Sequence, residues 1–130
     1  MSPHPDIIRL EAAFKEANKR ADAARKRFSE RLAIDEPLRI ERNRRLRAFE
    51  ADPSPANAET YRTVLHKLLL SETETAKADE ERKVATAEAL AAYEAYDAVR
   101  RLLAASEEVR AMGLDPVALI GAATKQTELG

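Results

Sequence analysis

Asp52-Pro53-Ser54-Pro55 is the stretch on which the fold turns. Proline lacks the backbone N–H and clashes with the carbonyl four residues back, so two of them so close together stop a helix. Ser54 followed by Pro55 is also a start signal, with the serine as N-cap and the proline at the first helical position. Both flanks read as helix. On one side a helical arm runs from about Asp6 to Ala51, with Asp6 favouring the positive end of the helix dipole. On the other, no proline or glycine occurs from Ala56 to Met112. The expected fold is all-α: an antiparallel helical hairpin, or coiled-coil-like bundle, with long helices and a short C-terminal helix, in a single domain over residues 1–130.

The first arm carries apolar or small residues at Ile7, Leu10, Phe14, Ala17, Ala21, Ala24 and Phe28. Their spacing alternates three and four, the heptad signature of a helix that packs along another helix. Beyond Phe28 the same register holds Leu38 and Phe49 but also Arg31, Arg42 and Arg45, so the seam is expected to weaken. Asp35-Glu36-Pro37 predicts a kink or a break, with Asp35 placed to cap a second helix. In the second arm, Ser71-Glu72-Thr73-Glu74-Thr75 has low helix propensity and the form of a capping box. The two weak points fall at the same level of a hairpin, which leaves a long hairpin and a folded-over four-helix bundle both open.

From Val84 the second arm carries two apolar rows. One is Ala85, Ala89, Ala92, Tyr96, Val99 and Leu103; the other is Val84, Ala91, Ala95, Ala98, Leu102, Ala105, Val109 and Met112. They lie about 100° apart on a helix, a stripe wide enough for two neighbours. The first arm supplies one; the C-terminal segment or another chain supplies the second. Gly113-Leu114 reads as a helix C-cap, Asp115-Pro116 as the start of a short helix over about 116–123, and residues 124–130 as a tail. The residues expected at helix interfaces are Ile7, Leu10, Phe14, Phe28, Tyr96, Val99, Leu103 and Val109.

Charge is divided unevenly. Residues 1–50 hold 13 basic and 9 acidic side chains, residues 51–130 hold 9 and 14, and the whole chain has a net charge of −1. Arg25-Lys26-Arg27 is expected opposite Asp79-Glu80-Glu81, a pattern that selects an antiparallel register more than it stabilises one, since exposed pairs contribute about 0–1 kcal/mol each. Alanine accounts for 26 of the 130 residues, so the 45% hydrophobic fraction is poor in bulky core side chains. Thin helical packing or self-association is the expectation.

The residues point away from catalysis. The chain has no cysteine, and its three glycines all lie at or after Gly113, which leaves no phosphate-cradling loop. Neither His4 nor His66 has a glutamate three residues before it, as a di-metal bundle site requires. No cofactor, metal or small-molecule substrate is expected. The longest apolar run, 117–123, is far short of a membrane span, and the first residues lack the charged and apolar regions of a signal peptide. The expected setting is cytoplasmic, or a particle assembled in the cytoplasm.

Arg39, Arg42, Arg44, Arg45 and Arg47 make the densest basic segment. With Arg39 at zero, the others fall at about 300°, 140°, 240° and 80° around a helix, a ring instead of a stripe. Arg39, Arg44, Arg45 and Arg47 are the candidates for an anionic partner. Taken together, the sequence predicts a non-catalytic interaction or assembly protein, a bacteriophage or bacterial structural, scaffold or adaptor component that meets copies of itself or a larger protein partner. The alternatives are a nucleic-acid-associated regulator using Arg39–Arg47, and a small inhibitor of phage type that occludes a host enzyme.

Overall fold

The computed structural model describes the backbone of residues 4–129 and the side chains of 4–106 and 108–122. Its helices are α1 (Pro5–Ala51), α2 (Pro55–Ala104), α3 (Ser106–Ala111) and α4 (Pro116–Leu129). α1 and α2 pack against each other as an antiparallel hairpin.

The reversal is made by short-range hydrogen bonds. Ser54 caps α2: its Oγ accepts the Asn57 N–H at 3.1 Å and its carbonyl accepts the Ala58 N–H at 3.0 Å. Asn57 then reaches back across the turn, where its Nδ2 donates to the Asp52 carbonyl at 2.8 Å and to the Ala48 carbonyl at 3.4 Å. Both carbonyls also accept a backbone N–H, Ala48 from Asp52 at 3.0 Å and Asp52 from Ser54 at 2.8 Å, so Asn57 adds a second donor that ties α2 to the end of α1. At the other end, the His4 carbonyl accepts the Ile7 N–H at 3.0 Å and its Nδ1 accepts the Asp6 N–H at 3.1 Å, closing the start of α1.

The heptad register extends farther than its apolar part. In α1 it continues from Phe28 through Arg31, Asp35, Leu38, Arg42, Arg45 and Phe49, and each of these is buried or half-buried. In α2 the row that contains Ala85 to Leu103 extends back through Arg82, Ala78, Thr75, Ser71, Leu68, Val64 and Tyr61, again buried or half-buried throughout.

By contacts the chain divides into two compact units, one from residues up to Ala21 together with those from Val84 on, the other from Asp22–Lys83. The first holds two apolar clusters. Leu10, Ala95, Val99 and Ile120 are buried together, flanked by Ile7, Tyr96, Leu102 and Leu103. Ala17, Ala21 and Ala89 form the other, flanked by Ala85 and Ala92. Phe14 lies 5.3 Å from the Tyr93 ring and stacks on Tyr96 at 6.3 Å. Val99 and Ile120 each contribute about 1.5–3 kcal/mol by burial, against about 0.8 for an alanine methyl, so the alanine cluster serves mainly to bring the backbones close.

The second unit has a different interior. Its buried apolar residues are Ala24, Leu68 and Ala78, and alongside them Asp35, Ser71 and Thr75 are also buried. Arg27 pairs with Glu81 across the helices at 3.5 Å, and the Arg82 guanidinium lies 5.2 Å over the Phe28 ring. The expected match of basic 25–27 with acidic 79–81 is thus realised by one pair. Asp79 is instead held by Arg82 and Lys83 of its own helix, and Arg25 by Asp22.

On the course of the helices, one open alternative is decided and two expectations need correction. α1 runs through Pro37 without a break, and α2 through Ser71–Thr75, so neither arm folds over at that level. Pro37 lies about 200° around the helix from buried Asp35 and is exposed, as is Ala33, whose carbonyl loses its partner; water can take the place of the missing N–H. The second arm does not continue to Met112: α2 ends at Ala104, Ala105 adopts φ −95° and ψ 14°, and α3 starts at Ser106. The stretch from Thr124, read as a tail, continues α4 to Leu129.

α3 ends as the sequence indicates. Gly113 takes φ 79°, its N–H bonds the Arg110 carbonyl at 3.0 Å, and the Leu114 N–H bonds the Val109 carbonyl at 3.1 Å, the Schellman arrangement. Asp115 Oδ1 then caps α4 by accepting the Val117 N–H at 3.0 Å. A Cβ on Gly113 would meet nothing within 4 Å. Gly113→Ala is therefore expected to cost about 1 kcal/mol through backbone strain alone, read as a lower urea midpoint. Val99→Ala, at a fully buried position, is expected to cost about 2 kcal/mol, and Ile40→Ala, at an exposed one, less than about 0.5 kcal/mol in the same titration.

Candidate functional site

Asp35, Ser71 and Thr75 form the most unusual side-chain arrangement in the chain. Asp35 has no exposed surface. It sits on the heptad row of α1, facing α2. The Ser71 hydroxyl donates to Asp35 Oδ1 at 2.5 Å, and Arg31 Nη2 donates to both the Ser71 Oγ at 2.6 Å and the Ser71 carbonyl at 3.0 Å. Thr75 Oγ1 donates to the same carbonyl at 3.0 Å. Arg31 and Arg39, one turn before and after Asp35 on α1, place Nη2 atoms 3.9 Å from its two oxygens. Arg39 also pairs with Glu72 of α2 at 3.4 Å. Asp35 Oδ2 and Arg31 Nε are buried without a hydrogen-bond partner.

Burial disfavours a charged carboxyl and would raise the Asp35 pKa. The Ser71 and Thr75 hydroxyls and the positive charges of Arg31 and Arg39 outweigh it, and the pKa is lowered from the ordinary 3.8. The group is therefore an anion at neutral pH, held by donors but not fully saturated by them. Among the described residues no group of three or more His, Cys, Asp or Glu is placed to hold a metal. What the arrangement does physically is join α1 to α2 at one level.

A second feature is the outer row of α2. Of the residues in the second predicted row, Ala95 and Val109 are buried and Leu102 and Ala105 half-buried, while Val84, Ala91, Ala98 and Met112 are exposed. Ile120 of α4 covers the stripe beside Ala95 and Val99, so the C-terminal segment supplies the second neighbour over part of its length. Leu90 and Tyr93, toward the other edge, are 57% and 41% exposed.

The residues expected at helix interfaces are all turned inward to some degree. Leu10, Val99 and Val109 are buried; Ile7, Phe14, Phe28, Tyr96 and Leu103 are half-buried. The arginine segment is largely engaged within the chain. Arg39 lies on Asp35 and Glu72, Arg44 and Arg45 share Glu41 at 3.2 and 2.8 Å, and Arg42 donates to Asn43. Arg47 is exposed. No described helix is long and apolar enough to cross a membrane.

Sequence reasoning read Asp35 and Ser71 as helix caps, not as partners of each other, and did not single out Asn57. Asp35 was legible by register, since it falls between Arg31 and Leu38 on the heptad row; the adjacent Pro37 directs attention to capping instead. In comparisons with protein families, curated proteins and solved structures, nothing matches this chain.

Ser71→Ala removes a donor from a buried carboxylate and is expected to cost about 1–3 kcal/mol in urea unfolding. The lowered Asp35 pKa also gives a pH dependence. Its stabilisation is fully present above the unfolded value of about 3.9 and is lost as pH falls through the lower folded value. Between pH 6 and pH 2.5 wild type is expected to lose more stability than Asp35→Asn, which also removes the contributions common to both chains, such as that of Asp79.

Proposed function

We propose that this chain is a non-catalytic interaction protein that docks helices, with a second copy of itself as the first occupant of the outer row of α2. The observation that carries this reading is the uncovered run of Val84, Ala91 and Ala98 on a helix whose inner row is already filled by α1. Apolar side chains repeated at seven-residue spacing along an exposed face are the pattern by which one helix packs along another. The small residues let the backbones approach closely, and Val84 at 56% exposed adds a larger contact.

The arginine segment favours this reading over nucleic-acid binding. Arg39, Arg44 and Arg45 already face carboxylates, so phosphates would have to displace those pairs.

Sedimentation velocity at micromolar concentration is the test. Wild type is expected to sediment as an oligomer, and the triple variant Val84→Glu/Ala91→Glu/Ala98→Glu as a monomer with unchanged helical circular dichroism. A wild-type monomer over the whole range would reject self-association through this face.

A further inference from the structure

We infer that the Asp35–Ser71 centre is a pairing-specificity device: it makes α1 select α2 over another α1, at a cost in stability. The hairpin turn already fixes how far α1 and α2 are staggered, because Ser54 and Asn57 bind both sides of a connection only a few residues long. What the turn does not fix is whether α1 lies against the α2 of its own chain or pairs with the α1 of a second copy. The alanine positions of the seam do not decide that, since small side chains of one size fit one another in either pairing.

Asp35 decides it. A buried carboxylate needs donors on the facing helix. The α2 row offers the hydroxyl of Ser71, which donates to the carboxylate, and Thr75 braces that residue by donating to its carbonyl. The α1 row, from Ile7 to Phe49, has no serine or threonine at any heptad position. It has three arginines, Arg31, Arg42 and Arg45, for one aspartate, so two α1 helices laid together would bring excess positive charge to their shared seam. Single polar residues on a heptad seam are known to set partner and register while lowering stability.

The centre is also dispensable in the sense the proposal requires. With Asp35 and Ser71 both replaced by apolar residues, Arg31 keeps the Ser71-position carbonyl and reaches water, and Arg39 keeps Glu72. No buried charge is left alone.

The test uses the full chain carrying Asp35→Leu/Ser71→Ala. Because the chain has no cysteine, nitroxides placed by Glu36→Cys and Lys83→Cys report one distance between α1 and α2. Labelled chains are diluted into unlabelled ones so that only the intramolecular distance is read by pulsed electron resonance. In the parent the distance is expected to be single. In the double variant the urea midpoint is expected to stay level or rise, while the distance splits into at least two populations and a species absent from the parent appears in sedimentation. Two results would overturn the inference: a single, unchanged distance with unchanged sedimentation, or a double variant that loses helix or unfolds at lower urea than the parent.

Discussion

Everything in this chain depends on two heptad rows finding each other. A helix as long as α1, with alanine or arginine at many of its inward positions, buries too little of its own surface to be stable alone. Laid along α2, the same positions become a shared interior. The small side chains at Ala17, Ala21 and Ala89 place the backbones close together, and the bulkier Leu10, Val99 and Ile120 contribute most of the apolar burial in their unit. Dispersion and desolvation accumulate along the seam, not at any one contact.

In the unit formed by Asp22–Lys83, the seam keeps its spacing but changes its chemistry. Asp35, Ser71 and Thr75 occupy positions where a heptad ordinarily puts apolar residues. Hydrogen bonds replace desolvation as the joining force there, and their directionality makes the joint selective. Arg82 over Phe28 and Arg27 beside Glu81 extend the same mixture of polar and aromatic contact. The two units therefore hold α1 and α2 together by different means.

Most of this was readable from local signals. Ser54-Pro55, Gly113-Leu114 and Asp115-Pro116 each act within a few residues, and their caps appear where the sequence puts them. Alternating spacing from Ile7 to Phe28 gave the inner face of α1. What was not readable depends on which side of a helix a residue occupies. Pro37 predicts interruption if taken alone, but faces outward, where its missing N–H matters least. Asp35 looks like a cap beside that proline and is instead the centre of the seam. The restart at Ser106 had a signal, Ser106-Glu107-Glu108 at the positive end of a helix, that the unbroken run of helix formers concealed. That Ile120 would return to cover Ala95 and Val99 is a tertiary fact with no local mark.

The outer row of α2 follows from the same reasoning: α1 and α4 together cover less of the apolar stripe than the sequence provides. Its interpretation as a contact surface rests on the inner rows being paired as described. The most direct test is a nuclear Overhauser spectrum of chain labelled at alanine methyls and diluted in unlabelled chain. The account predicts cross-peaks joining Ala17 and Ala21 of α1 to Ala89 of α2 within one molecule. Methyl contacts confined to each helix, with none between the two, would contradict it.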